Sequence, residues 1–285
     1  MMNQFKHDIE AIMSHQTDNG FDLWTTPDLK LLKGAPFTTL ESPLYLLELG
    51  LPLSDPLFAK VADLIFSTWR KDGRFKISPA GAIYPCHVAL ALKTLCYLGH
   101  SSDERLQHSL AFLINIQEVD GGWKCHKYSF GRGEETTYST PNTTLIILDC
   151  LRFFEFPEKE AVTRKAIEFL LHHWEIKRPI SPCHYGIGTL FMQTEYPFRG
   201  YNLFYYVYVL SFYQTALQDQ RFTDAYQRLA EKSVDGKLIV ERVVPKLGKL
   251  SFCKKGEPSQ LATQKFNDIN DNLMRSDRAN HKNLD

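Results

Sequence analysis

Three Cys-His pairs hold the clearest chemistry in the chain: Cys86-His87, Cys125-His126 and Cys183-His184. Thiolate and imidazole are the ligands that zinc prefers. A thiol at the start of a helix is also drawn toward thiolate by the helix dipole. Neighbouring side chains point in different directions, so one residue of each pair is the expected ligand. Two readings follow. In one, Cys86, Cys125 and Cys183 join one or more of His87, His126 and His184 at a rim where buried helices begin, as a metal or thiol site with zinc as the expected ion. In the other, they are packed thiols and helix-capping histidines. Cys96 and Cys150 fall inside apolar runs and read as core thiols, and Cys253 lies in a Lys-rich stretch where it reads as incidental. His172 and His173 close an amphipathic stretch and read as solvated, or as imidazoliums that suit a helix C-terminus.

A second set is aromatic. Tyr201, Phe204, Tyr205, Tyr208 and Phe212 recur at helical spacing within the segment 201–217. Such a stripe is either core packing or the wall of a cavity that favours cations and apolar groups. The number of tyrosines favours the cavity, because a buried phenol needs a hydrogen-bond partner or a wet void. Tyr201, Tyr205, Tyr208 and Phe212 are the expected ligand-binding residues, in a pocket opening beside the Cys-His groups.

These residues need a scaffold, and the sequence repeats one. Asp72-Gly73, Asp120-Gly121 and Asp235-Gly236 follow amphipathic segments, and the long second gap hides one more copy, in which Lys177 replaces the Asp. Leu106, Leu110, Leu113 and Ile114 fall on one helical face, as do Val61, Leu64, Ile65 and Trp69, and Val162, Ala166, Phe169 and Leu170. These are one-faced surface helices, with Gly suited to a left-handed C-cap. Between them lie segments apolar nearly all round, at 86–99, 140–154 and 201–217, and a more amphipathic one at 260–273. Short breaks join each buried helix to the next surface helix, which gives antiparallel hairpins. The expected fold is all-α, with about ten helices: an inner ring of five inside an outer ring of five, closed where the two terminal half-hairpins pair. Residues 1–274 read as one domain, with a first helix at about 3–16. Residues 241–257 read as a connection with a short hairpin, and 275–285 as a disordered polar tail.

Gln117-x-x-Asp120-Gly121-Gly122-Trp123, preceded by Phe112-Leu113, resembles the QW-type repeat of squalene and terpenoid cyclases. Protein prenyltransferase β subunits share that fold, the α/α toroid. The run Cys86 to Gly99, Asp103 and the segment 120–125 also resemble a bacterial group of prenyltransferase/squalene-oxidase-repeat proteins. The resemblance implies an isoprenoid or other apolar ligand in a central cavity. It also implies zinc held by Asp, Cys and His, as in the prenyltransferases. It does not extend to cyclase chemistry. The D-x-D-D acid motif is missing, and its nearest string, Asp268-Ile269-Asn270-Asp271, has an amide where the proton must be donated. No D-D-x-x-D is present to hold a diphosphate through magnesium.

Composition narrows the remaining choices. Thirty-three basic residues balance thirty-three acidic ones, which argues against a nucleic-acid binder, since that needs a basic excess. The first twenty residues carry no apolar core of a secretory signal. Leu203–Leu217 is too short and interrupted for a bilayer span of ~20 residues. The expectation is a cytoplasmic protein with thiols, without a transmembrane segment. Three functions stay open: an isoprenoid or apolar-ligand protein, a non-catalytic binding or interaction scaffold, and a metal- or thiol-based enzyme on another substrate.

Overall fold

The computed structural model describes residues 4–128 and 134–282. Among the described residues the chain is helix-rich, at 49%, and its sheet is one two-stranded hairpin. In chain order the helices are α1 (Lys6–Ser14), α2 (Ser42–Glu48), α3 (Pro56–Phe66), α4 (Pro85–Tyr97), α5 (Glu104–Asn115) and α6 (Pro141–Leu151). They continue with α7 (Lys159–Ile176), α8 (Leu203–Leu210), α9 (Gln214–Leu217), α10 (Gln220–Ala230) and α11 (Gln260–Lys282). The hairpin, β1 (Ser233–Val234) and β2 (Lys237–Leu238), closes around Asp235-Gly236.

The amphipathic helices share a starting device. Asp55 accepts from Leu57 N–H at 2.9 Å, Asp103 from Arg105 N–H at 2.9 Å, and Asp219 from Arg221 N–H at 2.8 Å. Each carboxylate satisfies a backbone donor that the first turn leaves unpaired. Glu158 stands at the equivalent place before α7, and its longer side chain makes no capping bond. The segments also share a closing device. Gly73, Gly121 and Gly236 take φ values of +81°, +87° and +73°. Lys177 ends α7 in the same left-handed region, at φ +54°. Two of these turns touch the next amphipathic helix. A Cβ on Gly73 would stand 2.6 Å from the His108 carbonyl oxygen on α5, and one on Gly121 2.3 Å from the Lys165 carbonyl oxygen on α7.

The chain divides into two compact units. The first comprises Met1–Gln117, Cys125–Lys127 and Asp149–Glu155, and the second Glu118–Lys124, Tyr128–Leu148 and Phe156–Asp285. In the first, α4 packs against α2, α3 and α5 around Leu46, Val61, Ile65, Leu92, Leu95 and Leu106. One of its buried acids, Asp149, is matched by Arg152 at 2.8 Å and by the Tyr97 hydroxyl at 3.1 Å. In the second, α8 packs on α10 and α11, and α10 also on α7. All eight residues of α8 are buried. Trp123 is fully buried. Its N–H donates to Thr144 Oγ1 at 3.0 Å and its carbonyl accepts from Thr140 N–H at 2.9 Å. Asp120 fixes the turn beside it, accepting from Ser139 N–H and Oγ, each at 2.7 Å.

Three details differ from expectation. The apolar run 201–217 breaks into α8 and α9, with Ser211 Oγ bonded back to the Tyr208 carbonyl at 2.8 Å. Back-bonding of this kind bends helices. The hairpin lies at 233–238, and 241–257 instead holds two short 3₁₀ turns, Leu247–Lys249 and Ser251–Cys253. Finally, α11 runs to Lys282, through residues expected to form the start of a disordered tail. The last three residues of that tail, 283–285, lie outside the described residues.

Candidate ligand-binding cavity and thiol pair

Two long loops of the second unit, 178–202 and 239–259, build a cavity of about 420 Å³. The loops are joined through backbone: Glu241 and Arg242 N–H groups both donate to the Thr194 carbonyl, at 3.0 and 3.1 Å. Thr194 N–H donates to Glu241, whose other oxygen accepts from Lys232 at 2.9 Å. This ties Glu195 and Arg242 side by side on the wall. Arg199, His184 and the carboxamide of Asn142, from the start of α6, complete the polar lining. Tyr185, Phe191 and Tyr201 supply an aromatic face.

The electrostatics of the lining are asymmetric. Glu195 is 5% exposed, and burial pushes its carboxyl above the usual range, against the pull of Arg242 and Arg199. Arg242 Nη1 stands 3.6 Å from Glu195 Oε2, beyond a good hydrogen bond. An acid so placed keeps its proton longer and can donate it, while Arg242, at that distance from it, retains capacity for another anion. The Asn142 carboxamide oxygen is buried and has no partner among the described residues. A buried acceptor left this way costs free energy unless a donor arrives.

Tyr201 is held from behind. Its hydroxyl lies 2.9 Å from His173 Nδ1, and His173 Nε2 lies 3.3 Å from the Arg178 carbonyl oxygen. A carbonyl can only accept, so Nε2 carries the proton and Tyr201 donates to Nδ1. Burial, the main cause, lowers the His173 pKa to about 4 and keeps the ring neutral. Burial also raises the Tyr201 phenol well above its ordinary value. Tyr201 is therefore a fixed neutral phenol on the cavity wall.

The first unit holds the other chemical group. Cys86, the second residue of α4, brings its Sγ within 3.0 Å of the Cys125 Sγ. His87 is half-buried, packed edge-on to Tyr84 at 5.1 Å, and is kept neutral at a pKa of about 4 by burial and then by Lys127. His126 is exposed, in the left-handed region at φ +59°. His184 repeats that geometry in the second unit, exposed at φ +51°, after a half-buried Cys183 whose N–H donates to Ser181 Oγ at 3.3 Å.

Among the described residues, no group of three or more Cys, His, Asp or Glu side chains is placed to hold a metal ion. The six residues read as ligands thus yield a sulfur pair, Cys86 and Cys125, in one unit, and His184 on a cavity wall in the other. Of the four aromatic residues, Tyr201 lines the cavity. Tyr205 and Tyr208 are buried against Phe198, at 5.0 and 5.1 Å, and Phe212 packs edge-on to Tyr208 at the surface. The polar lining was not anticipated. One signal for it stood in the sequence: Glu195 and Arg199 are charged residues set among Phe191, Tyr196, Phe198 and Tyr201, a context that buries its neighbours.

Compared with known proteins, the chain matches no family model and no curated protein. No helix among the described residues is long and apolar enough to cross a membrane.

Proposed function

We propose that the protein binds a small ligand with an anionic group and an apolar or aromatic body in the cavity of the second unit. The observation that carries this is the pairing of Arg199 and Arg242 around a carboxyl that burial discourages from ionising. Guanidinium groups recognise carboxylates and phosphates with two parallel bonds. Tyr185, Phe191 and Tyr201 suit the apolar body, and the Asn142 oxygen calls for a donor on the ligand. A prenyl diphosphate belongs to this class, and its apolar chain is the isoprenoid that the repeat resemblance implies.

The helix order supports the finer fold reading, an α/α toroid. Helices α2, α4, α6, α8 and α11 bury apolar residues between the amphipathic α1, α3, α5, α7 and α10, and each begins after a closing turn or its equivalent. Solution scattering that fits an extended arc would remove it.

The binding test is a thermal-shift series with pyrophosphate, a prenyl diphosphate and the matching prenyl alcohol. A ligand that binds the native state raises Tm by mass action. The expected result is a rise with the diphosphate that exceeds either fragment and disappears in Arg199→Gln and Arg242→Gln. A rise with the alcohol alone, or one untouched by both variants, overturns the anion site.

A further inference from the structure

We propose that Cys86 and Cys125 form a two-electron thiol redox site, taking a hydroperoxide as oxidant and closing to a reversible intramolecular disulfide. The two sulfurs stand 3.0 Å apart although 39 residues separate them in sequence. A covalent S–S bond is about 2.0 Å, so a short approach joins them. Both belong to the first compact unit. Cys86 is half-buried and thus reachable, whereas Cys125 is 6% exposed. Cys86 also sits in the first turn of a thirteen-residue helix, after Pro85, where the dipole favours thiolate. These positions make Cys86 the attacking sulfur and Cys125 the resolving one.

The other cysteines show the contrast. Cys96 and Cys150 are buried in the core, where desolvation pushes both thiols up and away from thiolate. Cys253 is fully buried, with its Sγ 3.3 Å from the Leu247 carbonyl oxygen. Cys183 is half-buried like Cys86 but lies in a loop, after the turn at Ser181. It serves as an internal control for reachability.

The step balances with the peroxide alone. The Cys86 thiolate attacks one peroxide oxygen and the O–O bond breaks. The departing oxygen leaves as water, or as an alcohol from an organic peroxide, with the proton that Cys86 gave up. Cys86 is now a sulfenic acid. The Cys125 thiolate attacks its sulfur, the S–S bond forms and the S–O bond breaks. Hydroxide leaves and takes the proton from Cys125 as a second water. Two thiols are oxidised and one peroxide is reduced. A dithiol reverses the change by thiol–disulfide exchange.

The experiment treats the purified native protein with limiting hydrogen peroxide, then alkylates it in denaturant so that buried thiols also react. The expected outcome is a fall from six alkylatable thiols to four, with loss of two hydrogen atoms from the intact mass. A non-reducing digest should join the peptides of Cys86 and Cys125, and dithiothreitol should restore six thiols. Cys125→Ser should leave Cys86 trapped as a sulfenic acid that a dimedone probe captures. Cys86→Ser should abolish both products, and Cys183→Ser should change neither. A disulfide that includes Cys183, or equal loss of all reachable thiols with no joined peptide, overturns the proposal. Circular dichroism of each variant separates a folding defect from a lost sulfur.

Discussion

Gly121→Ala probes how one repeat segment closes against the next. Gly121 and Gly236 both follow an Asp, both lie in the second unit, and both hold a left-handed φ, at +87° and +73°. That backbone costs an L-residue roughly 1–2 kcal/mol. At Gly236 this is the whole expected loss, because a Cβ there meets nothing within 4 Å. At Gly121 the Cβ would stand 2.3 Å from the Lys165 carbonyl oxygen, 2.6 Å from its carbon and 3.0 Å from Lys165 Cβ. These atoms belong to the middle of α7, which cannot swing aside as a side-chain tip can. Overpacking of this kind adds roughly 1–3 kcal/mol. Gly121→Ala should therefore lose roughly 2–5 kcal/mol, and Gly236→Ala roughly 1–2 kcal/mol. Urea titrations followed by far-UV circular dichroism read the difference as a shift in midpoint at constant slope. Equal losses at the two glycines would refute the argument, since backbone strain alone would then explain both and the Asp120-Gly121 turn would not bear on α7.

Other outcomes follow from single groups. His173 titrates near 4 when folded and near 6.5 when unfolded, so the unfolded chain takes up the proton first. Its contribution is intact above pH 6.5 and lost as pH falls toward 4, about 3 kcal/mol in full. His173→Gln should flatten that part of a pH series of urea melts, and an unchanged slope contradicts the buried neutral ring. Half-buried His87 adds a smaller fall over the same interval, which Gln at that position removes. Trp123→Ala should lose ~3–5 kcal/mol as a fully buried indole, and a loss below ~1 kcal/mol would deny Trp123 its repeat-closing place. Asp219→Ala removes the cap of α10 and one arm of the Arg221 fork, and a loss of about 1 kcal/mol in a thermal melt is expected. Asp219 is held below its usual carboxylate range by Arg221, so a melt at a pH low enough to protonate it should show a smaller difference between variant and parent.

The helices were legible because their signals are local. The spacing of Val61, Leu64 and Ile65, or of Leu106, Leu110 and Leu113, reports a buried face without knowledge of what covers it. The Asp-Gly turns were legible for the same reason, and Lys177 shows the φ that its aligned position demands. The cavity was not legible, because Asn142, Glu195 and Arg242 are distant in sequence, and backbone bonds between two loops bring Glu195 and Arg242 together. Tyr201 lines the cavity and Tyr205 packs on Phe198, because helical spacing gives a face but not which side of it is open. The Cys-His repetition was half informative. Cys86 and Cys125 do meet, while His126 and His184 sit in left-handed turns, a conformation in which His is enriched for backbone reasons.

The stretches between a closing turn and the next buried helix differ widely in length: 74–84 is the shortest, 122–140 is longer, and 178–202 and 237–259 are the longest. The turns themselves do not vary in this way, because a longer turn at Gly73 or Gly121 would lift it off the helix backbone it touches. Length has thus accumulated in one kind of place, and the two stretches that grew most are those that wall the cavity. Lengthening a flexible loop is inexpensive, at about 0.6 kcal/mol per doubling. The shortest stretch is then the one with room to grow. Its crest, 79–82, is exposed, and Gly81 there faces open space. New sequence grafted at that crest should leave the repeat intact, so the architecture carries a spare position where recognition can be added without rebuilding what supports it.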